Sequence, residues 1–168
     1  GHTVVAAAGA VIGTVGSDEK AEIAAAHGCD HPVVYTRDSF LDKVMEVTDG
    51  EGVPVVYDSV GKDTFEDSLD CLARLGTLVS FGQSSGDPPP FPLRLLAQHG
   101  SAFITRPGLH DYTATRQELL SSADRALSMI TSGKIRITIG QTFRLAEIVD
   151  AHQALEGRRT VGSTVIIP

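Results

Sequence analysis

Apolar residues in this chain return in two rhythms, and the changes between them mark out its elements. From Val53 to Tyr57 the run is apolar except for Pro54 and ends in Asp58-Ser59-Val60-Gly61. The period then changes, with Phe65, Leu69 and Leu72 at i, i+4 and i+7 on one helical face, and Thr64 with Asp67 as a capping pair. After Gly76 a second apolar run, Thr77 to Phe81, closes at Gly82. Strand, helix and strand in this order predict a right-handed βαβ unit with parallel strands. Ligands of open parallel sheets bind at the carboxyl ends of the strands, here Asp58–Gly61 and Phe81–Gly86, both rich in Gly and Ser.

The same alternation runs through most of the chain. Ser17 caps a predicted helix with Asp18 and Glu19 in its first turn, Ile23, Ala24 and His27 toward the sheet, and Gly28 at its end. Val33–Tyr35 reads as a strand, and Ser39 starts a helix carrying Phe40, Val44 and Val47. The Ser84–Pro90 stretch can be neither helix nor central strand, which makes it a loop over the carboxyl edge and a candidate lid. A short helix over Pro92–Gln98 precedes a strand at Ser101–Thr105. Thr115 and Glu118 form a capping box for the longest helix, and the alternation of Ile135, Ile137 and Ile139 predicts a half-buried strand. A helix over Leu145–Glu156 and a strand over Ser163–Ile167 close the chain. The pattern predicts a single α/β domain over 1–168, a doubly wound parallel sheet with helices on both faces.

The beginning breaks this order. Thr3–Ala8 and Ala10–Val15 both read as strands, with only Gly9 between them. Parallel neighbours need a crossover of about a dozen residues or more, whereas a tight hairpin would make the pair antiparallel. Either the first strand is displaced or the connecting segment is missing.

Composition narrows the function. A net charge of −7 and a pI near 5.2 argue against a nucleic-acid or anionic-membrane surface. Cys29 and Cys71 lack CxxC spacing and are expected to be buried, reduced thiols suited to the cytoplasm. Neither a membrane span nor a signal peptide is expected. The six histidines are scattered without H-x-x-H or Cys/His grouping, so no metal site is predicted. There is no G-x-S-x-G elbow, and no side chain stands out as acid, base or nucleophile.

The glycines Gly9, Gly13 and Gly16 fall within and after a strand, so they do not make a nucleotide fingerprint; Gly13 reads as a packing glycine. Gly16 and Ser17 differ, because they end a strand and open a helix whose N–H groups can meet an anion, with Lys20 one turn in. Ser17 could equally be only a cap and Lys20 only solvated, and Asp18 and Glu19 weaken the electrostatic case for an anion. No acid stands at the end of this strand to bind a free 2′-hydroxyl as in an NAD enzyme; Ser17 and Lys20 instead suit a 2′-phosphate, and therefore NADPH.

Several stretches, GTVGSDEKAEIAAAHGCD, VVYDSVGKDTFEDSLDCL, GTLVSFGQSSG, ITRPGLHDY and LEGRRTVGSTVIIP, resemble the coenzyme-binding half of the zeta-crystallin-like NADPH:quinone oxidoreductases. These are zinc-free members of the medium-chain dehydrogenase superfamily. The resemblance implies a Rossmann-type fold, with Tyr35 by the adenosine, Ser59, Phe81, Gly82 and Ser84 along the nicotinamide half, and Arg158 on the cofactor. Gln83 stands where the family often has Asn. It also implies that the N-terminal catalytic domain is absent and that the Gly-rich turn with the first crossover helix is missing after Ala6-Ala7-Ala8-Gly9. The function it implies is hydride transfer from NADPH to a quinone or enone, as part of a longer protein. A homodimer through the Ser101–Thr105 edge is expected, Ala102, Phe103 and Ile104 lending that edge an apolar character. A non-catalytic nucleotide-binding or dimerisation module is the alternative. A methyltransferase, another α/β fold, would need a Gly-rich first turn and a ribose-binding acid that are not there.

Overall fold

The computed structural model describes residues 4–7, 9–157 and 159–168, and the chain divides into two compact units, Gly1–Gly108 and Leu109–Pro168. Among the described residues the first unit is built on a six-stranded sheet. Its strands are β1 (Val4–Ala7), β2 (Ala10–Val15), β3 (His31–Val34), β4 (Val53–Asp58), β5 (Leu72–Ser80) and β6 (Phe103–Thr105), in the spatial order β3-β2-β1-β4-β5-β6. Pairings β2–β3, β4–β5 and β5–β6 are parallel.

The first strand resolves the problem at Gly9 differently from the expected gap. The chain turns at Gly9, φ +93°, and β1 pairs antiparallel with β2, Ala7 opposite Ala10 and Val4 opposite Gly13. β1 is also antiparallel to β4, Val4 opposite Tyr57. With no room for a crossover, a hairpin is the connection available. The order is that of a doubly wound nucleotide-binding sheet with its first strand reversed. The remaining five strands run one way and share a carboxyl edge.

The crossovers are α1 (Asp18–Ala26), α2 (Phe40–Val47) and α3 (Phe65–Asp70), and α4 (Arg94–Gln98) precedes β6. Because β2-α1-β3 and β4-α3-β5 step in opposite directions, right-handed crossovers put α1 and α3 on opposite faces. The core forms on the α2–α3 side, where Phe40, Val44, Phe65 and Leu69 meet Val53, Val56 and Leu78. The Phe65 ring also packs on Phe91, centroids 5.1 Å apart. By contrast α1 buries none of its residues, and His27 is exposed rather than turned to the sheet. Ser17 and Ser39 cap α1 and α2 as expected. Gly13 is a packing glycine: a Cβ there would lie 2.9 Å from Cys29 Sγ. Leu72 belongs to β5 and not to the α3 face, because the helix ends at Asp70.

The second unit holds α5 (Leu109–Tyr112), α6 (Arg116–Thr131), β7 (Ile139–Arg144), a 3-10 turn at Leu145–Glu147, α7 (Ile148–Glu156) and β8 (Ser163–Ile167). The capping box is present: Glu118 N–H donates to the Thr115 hydroxyl at 3.2 Å, and Thr115 N–H donates to the Glu118 carboxylate at 2.8 Å. β7 and β8 form a separate parallel pair. The predicted Ile135–Ile139 strand is displaced: only Ile139 enters β7, and all three isoleucines are exposed. Among the described residues no helix is long and apolar enough to cross a membrane.

Candidate functional site

The carboxyl edge of the first unit gathers most of the residues singled out by sequence, in two groups. The first lies at the ends of β2 and β3. Gly16 leads into Ser17, whose hydroxyl accepts the Lys20 N–H at 3.3 Å at the start of α1. Tyr35 follows β3 instead of ending it, fixed by its N–H donating to Val15 O at 3.1 Å. Its ring is 40% exposed, and its hydroxyl lies 3.2 Å from where a Gly16 Cβ would project, so Gly16 leaves the space beside that ring. Asp18 does not stand alone beside this corner: Arg37, from the turn after β3, reaches both its oxygens at 3.2 and 3.3 Å and Asp38 at 3.2 Å.

The second group is organised by Asp58, the last residue of β4, which is 1% exposed. Oδ1 accepts the Val60 and Gly61 N–H groups at 2.7 and 3.1 Å, and Oδ2 accepts the Thr64 and Ser68 hydroxyls at 2.8 and 2.9 Å. A carboxylate with four donors is satisfied on both oxygens and fixes the turn into α3. This corrects the expected Thr64–Asp67 cap, since Thr64 makes no side-chain cap bond and spends its hydroxyl on Asp58.

The turn set by Asp58 is closed against the loop after β5. Ser84 N–H donates to Ser59 O at 3.3 Å, Ser85 N–H to Val60 O at 2.9 Å, and Lys62 N–H to Gly86 O at 3.0 Å. The Ser85 hydroxyl adds a bond to Val60 O at 2.8 Å and receives Asp63 N–H at 3.0 Å. Such contact between backbones requires glycine. A Cβ at Gly82 would lie 2.4 Å from Ser59 O, and one at Gly61 would lie 2.4 Å from Gly86 O. The first part of the expected lid, Ser84–Gly86, is therefore clasped to the neighbouring turn. Phe81 is 51% exposed at the end of β5. Gln83 accepts a hydrogen bond from the Arg106 guanidinium, which also donates to Ser80 O at 3.5 Å.

Ser59, Phe81, Gly82 and Ser84 thus come together, as do Gly16, Ser17, Lys20 and Tyr35. Arg158 lies outside the described residues. Sequence reading missed Asp58, Arg37 and Arg106. Asp58 had a signal, an Asx-type residue at a strand end three residues before a glycine. The two arginines had none, because their partners are far away in sequence. Burial pushes the Cys71 thiol up to about 12, with Asp67 and Asp70 adding to it, so it is neither a nucleophile nor a metal ligand near neutral pH.

A doubly wound sheet with a glycine-lined carboxyl edge defines a Rossmann-type α/β domain. A family model described as zinc-binding dehydrogenase matches residues 27–166, and the chain belongs to that family. The chain is 49% identical over 158 residues to a quinone oxidoreductase of Pseudomonas aeruginosa, covering 94% of this chain and 49% of that protein. It is 42% identical to a 2-haloacrylate reductase of a Burkholderia species, covering 94% of this chain and 48% of the other. The crystal structure of Escherichia coli quinone oxidoreductase complexed with NADPH superposes with a TM-score of 0.87 at 43% identity, over 94% of this chain and 49% of that one. The chain spans about half the length of these relatives. Among the described residues no group of three or more His, Cys, Asp or Glu side chains is placed to hold a metal, so the donor set that zinc needs is not assembled there.

Proposed function

We propose that this chain is the NADPH-binding half of a quinone oxidoreductase, which passes hydride to a quinone or to an electron-poor alkene such as an enone. The observation that carries this reading is the carboxyl edge itself, where Gly61 and Gly82 keep two loops at backbone distance and Ser59, Phe81 and Ser84 come together at the ends of β4 and β5. The cofactor supplies the hydride chemistry when bound. The chain's residues bind and orient it: Gly16, Ser17, Lys20 and Tyr35 at the adenosine end, and Ser59, Phe81, Gly82 and Ser84 at the nicotinamide end. Arg158 joins them by resemblance alone.

The fit is poorer between these two ends, where the reversed β1 brings its start at Val4 toward the carboxyl edge instead of a strand end that leads into a helix N-terminus for a pyrophosphate. That observation favours a second reading, a nucleotide-binding or dimerisation module without turnover. The acceptor class rests on the names of the relatives, one a quinone oxidoreductase and one a haloacrylate reductase. Both act on conjugated acceptors, and in this reading a catalytic half lies outside the 168 residues and completes the substrate cleft. Self-pairing through β6 is part of the proposal: β6 ends the sheet order, and Phe103 is 58% exposed. Two free thiols suit a reducing cytoplasm.

Turnover distinguishes the two readings. A protein joining this chain to the catalytic half of a relative is expected to oxidise NADPH only when benzoquinone is supplied. Binding of NADPH without quinone-dependent oxidation would favour the second.

A further inference from the structure

The corner between β2 and β3 holds an ion pair that the cofactor reading leaves unused. Asp18 is the first residue of α1 and directly follows the Ser17 cap, so it neighbours the residues proposed for the adenosine end. A carboxylate there would ordinarily accept hydrogen bonds from a free 2′-hydroxyl and repel a 2′-phosphate, favouring NADH. In this chain both its oxygens face one arginine. The Arg37 Nη1 lies 3.2 and 3.3 Å from them, while Nε lies 3.2 Å from Asp38. The backbone that delivers Arg37 is fixed in turn, its N–H donating to Val34 O at 2.9 Å and Tyr35 N–H to Val15 O at 3.1 Å.

We propose that Arg37 determines cofactor selectivity by acting through Asp18. It competes for the acceptors that a 2′-hydroxyl would use and offsets part of the charge that a 2′-phosphate would meet. The inference rests on the proposal that this chain binds a nicotinamide dinucleotide. Arg37 is a positioning residue here and need not touch the phosphate. The Arg37 and Asp18 side chains are 61% and 75% exposed, and such surface pairs add little to stability, so its influence on selectivity is separable from any on folding.

The test is a set of titrations of the chain with NADPH and with NADH, followed by dihydronicotinamide fluorescence, on wild type, R37Q, D18N and the double variant. Uncovering one carboxylate near a doubly charged phosphate in a water-like dielectric weakens NADPH binding roughly three- to tenfold. NADH is expected to bind as before or more tightly in R37Q, with the melting temperature unchanged. Adding D18N to R37Q is expected to restore the NADPH affinity to within about twofold of D18N alone. An NADPH/NADH ratio that R37Q leaves unchanged overturns the inference and spares the cofactor reading. So does a loss that persists in the double variant, which would make Arg37 a direct phosphate ligand. Wild type that binds neither nucleotide overturns both.

Discussion

Replacing Asp58 with Ala removes an acceptor from four donors at once. Two are the backbone N–H groups of Val60 and Gly61; the others are the hydroxyls of Thr64 and of Ser68, which is fully buried. Thr64 can turn to Gly61 O, 3.4 Å away, so its loss is partly made good. The two amides and the Ser68 hydroxyl carry the penalty, about 1–3 kcal/mol for each buried group left unpaired, and relaxation brings the total to roughly 3–5 kcal/mol. Set against a typical domain stability of about 5–15 kcal/mol, this leaves a folded but weakened protein. Asp58→Asn keeps an oxygen for the two amides and lets the hydroxyls accept from the new NH2, so about 1–2 kcal/mol is expected. Urea unfolding followed by circular dichroism reads both changes as midpoint shifts at constant slope. Asp58→Ala within 1 kcal/mol of wild type, or Asp58→Asn as costly as Asp58→Ala, would refute the assignment of Asp58 as the organiser of the β4–α3 turn.

Other consequences are as specific. Gly82→Ala forces a methyl to 2.4 Å from Ser59 O and is expected to cost about 1–3 kcal/mol, losing nucleotide binding before the fold. Wild-type affinity in a folded Gly82→Ala chain would show that the clasp plays no part in the site. Cys71 gives the alkaline limb of stability: its folded thiol titrates at about 12, above the roughly 8.5 of an unfolded cysteine. Its contribution is complete below that lower value and is lost as pH rises from about 8.5 toward 12, because the unfolded chain ionises first. Urea midpoints that fall over this range in wild type and less in Cys71→Ala would bear this out. Phe103→Lys is expected to turn a dimer into a monomer in sedimentation; a wild-type chain monomeric at tens of micromolar rules out pairing through β6.

Local chemistry was legible in the sequence. Ser17, Ser39 and Thr115 cap the helices they were expected to cap, and β2 and β8 have the predicted bounds. These features depend on neighbours a few residues away. What escaped depends on distant partners. Thr64 reads as a cap from its neighbours, and only the fold shows that Asp58, six residues earlier, takes its hydroxyl. The alternation of Ile135, Ile137 and Ile139 is a strand signal without a partner in register, and pairing with β8 begins at Ile139. At Gly9 the conflict was visible but its outcome was not, because a short connection makes β1 antiparallel to β2, and only the fold shows that the reversed strand still fits between β2 and β4. Both groups of the candidate site could be named from strand ends. The Arg37–Asp18 pair that modifies one of them joins residues on separate elements and carries no sequence signal.

Equilibrium titration of the 168-residue chain with NADPH, with 2′,5′-ADP as competitor, tests the central proposal most directly. Saturable binding that is displaced by 2′,5′-ADP and is tighter than that of NADH is the predicted result. No saturable binding, or binding that 2′,5′-ADP leaves untouched, would contradict the assignment of this carboxyl edge as an NADPH site.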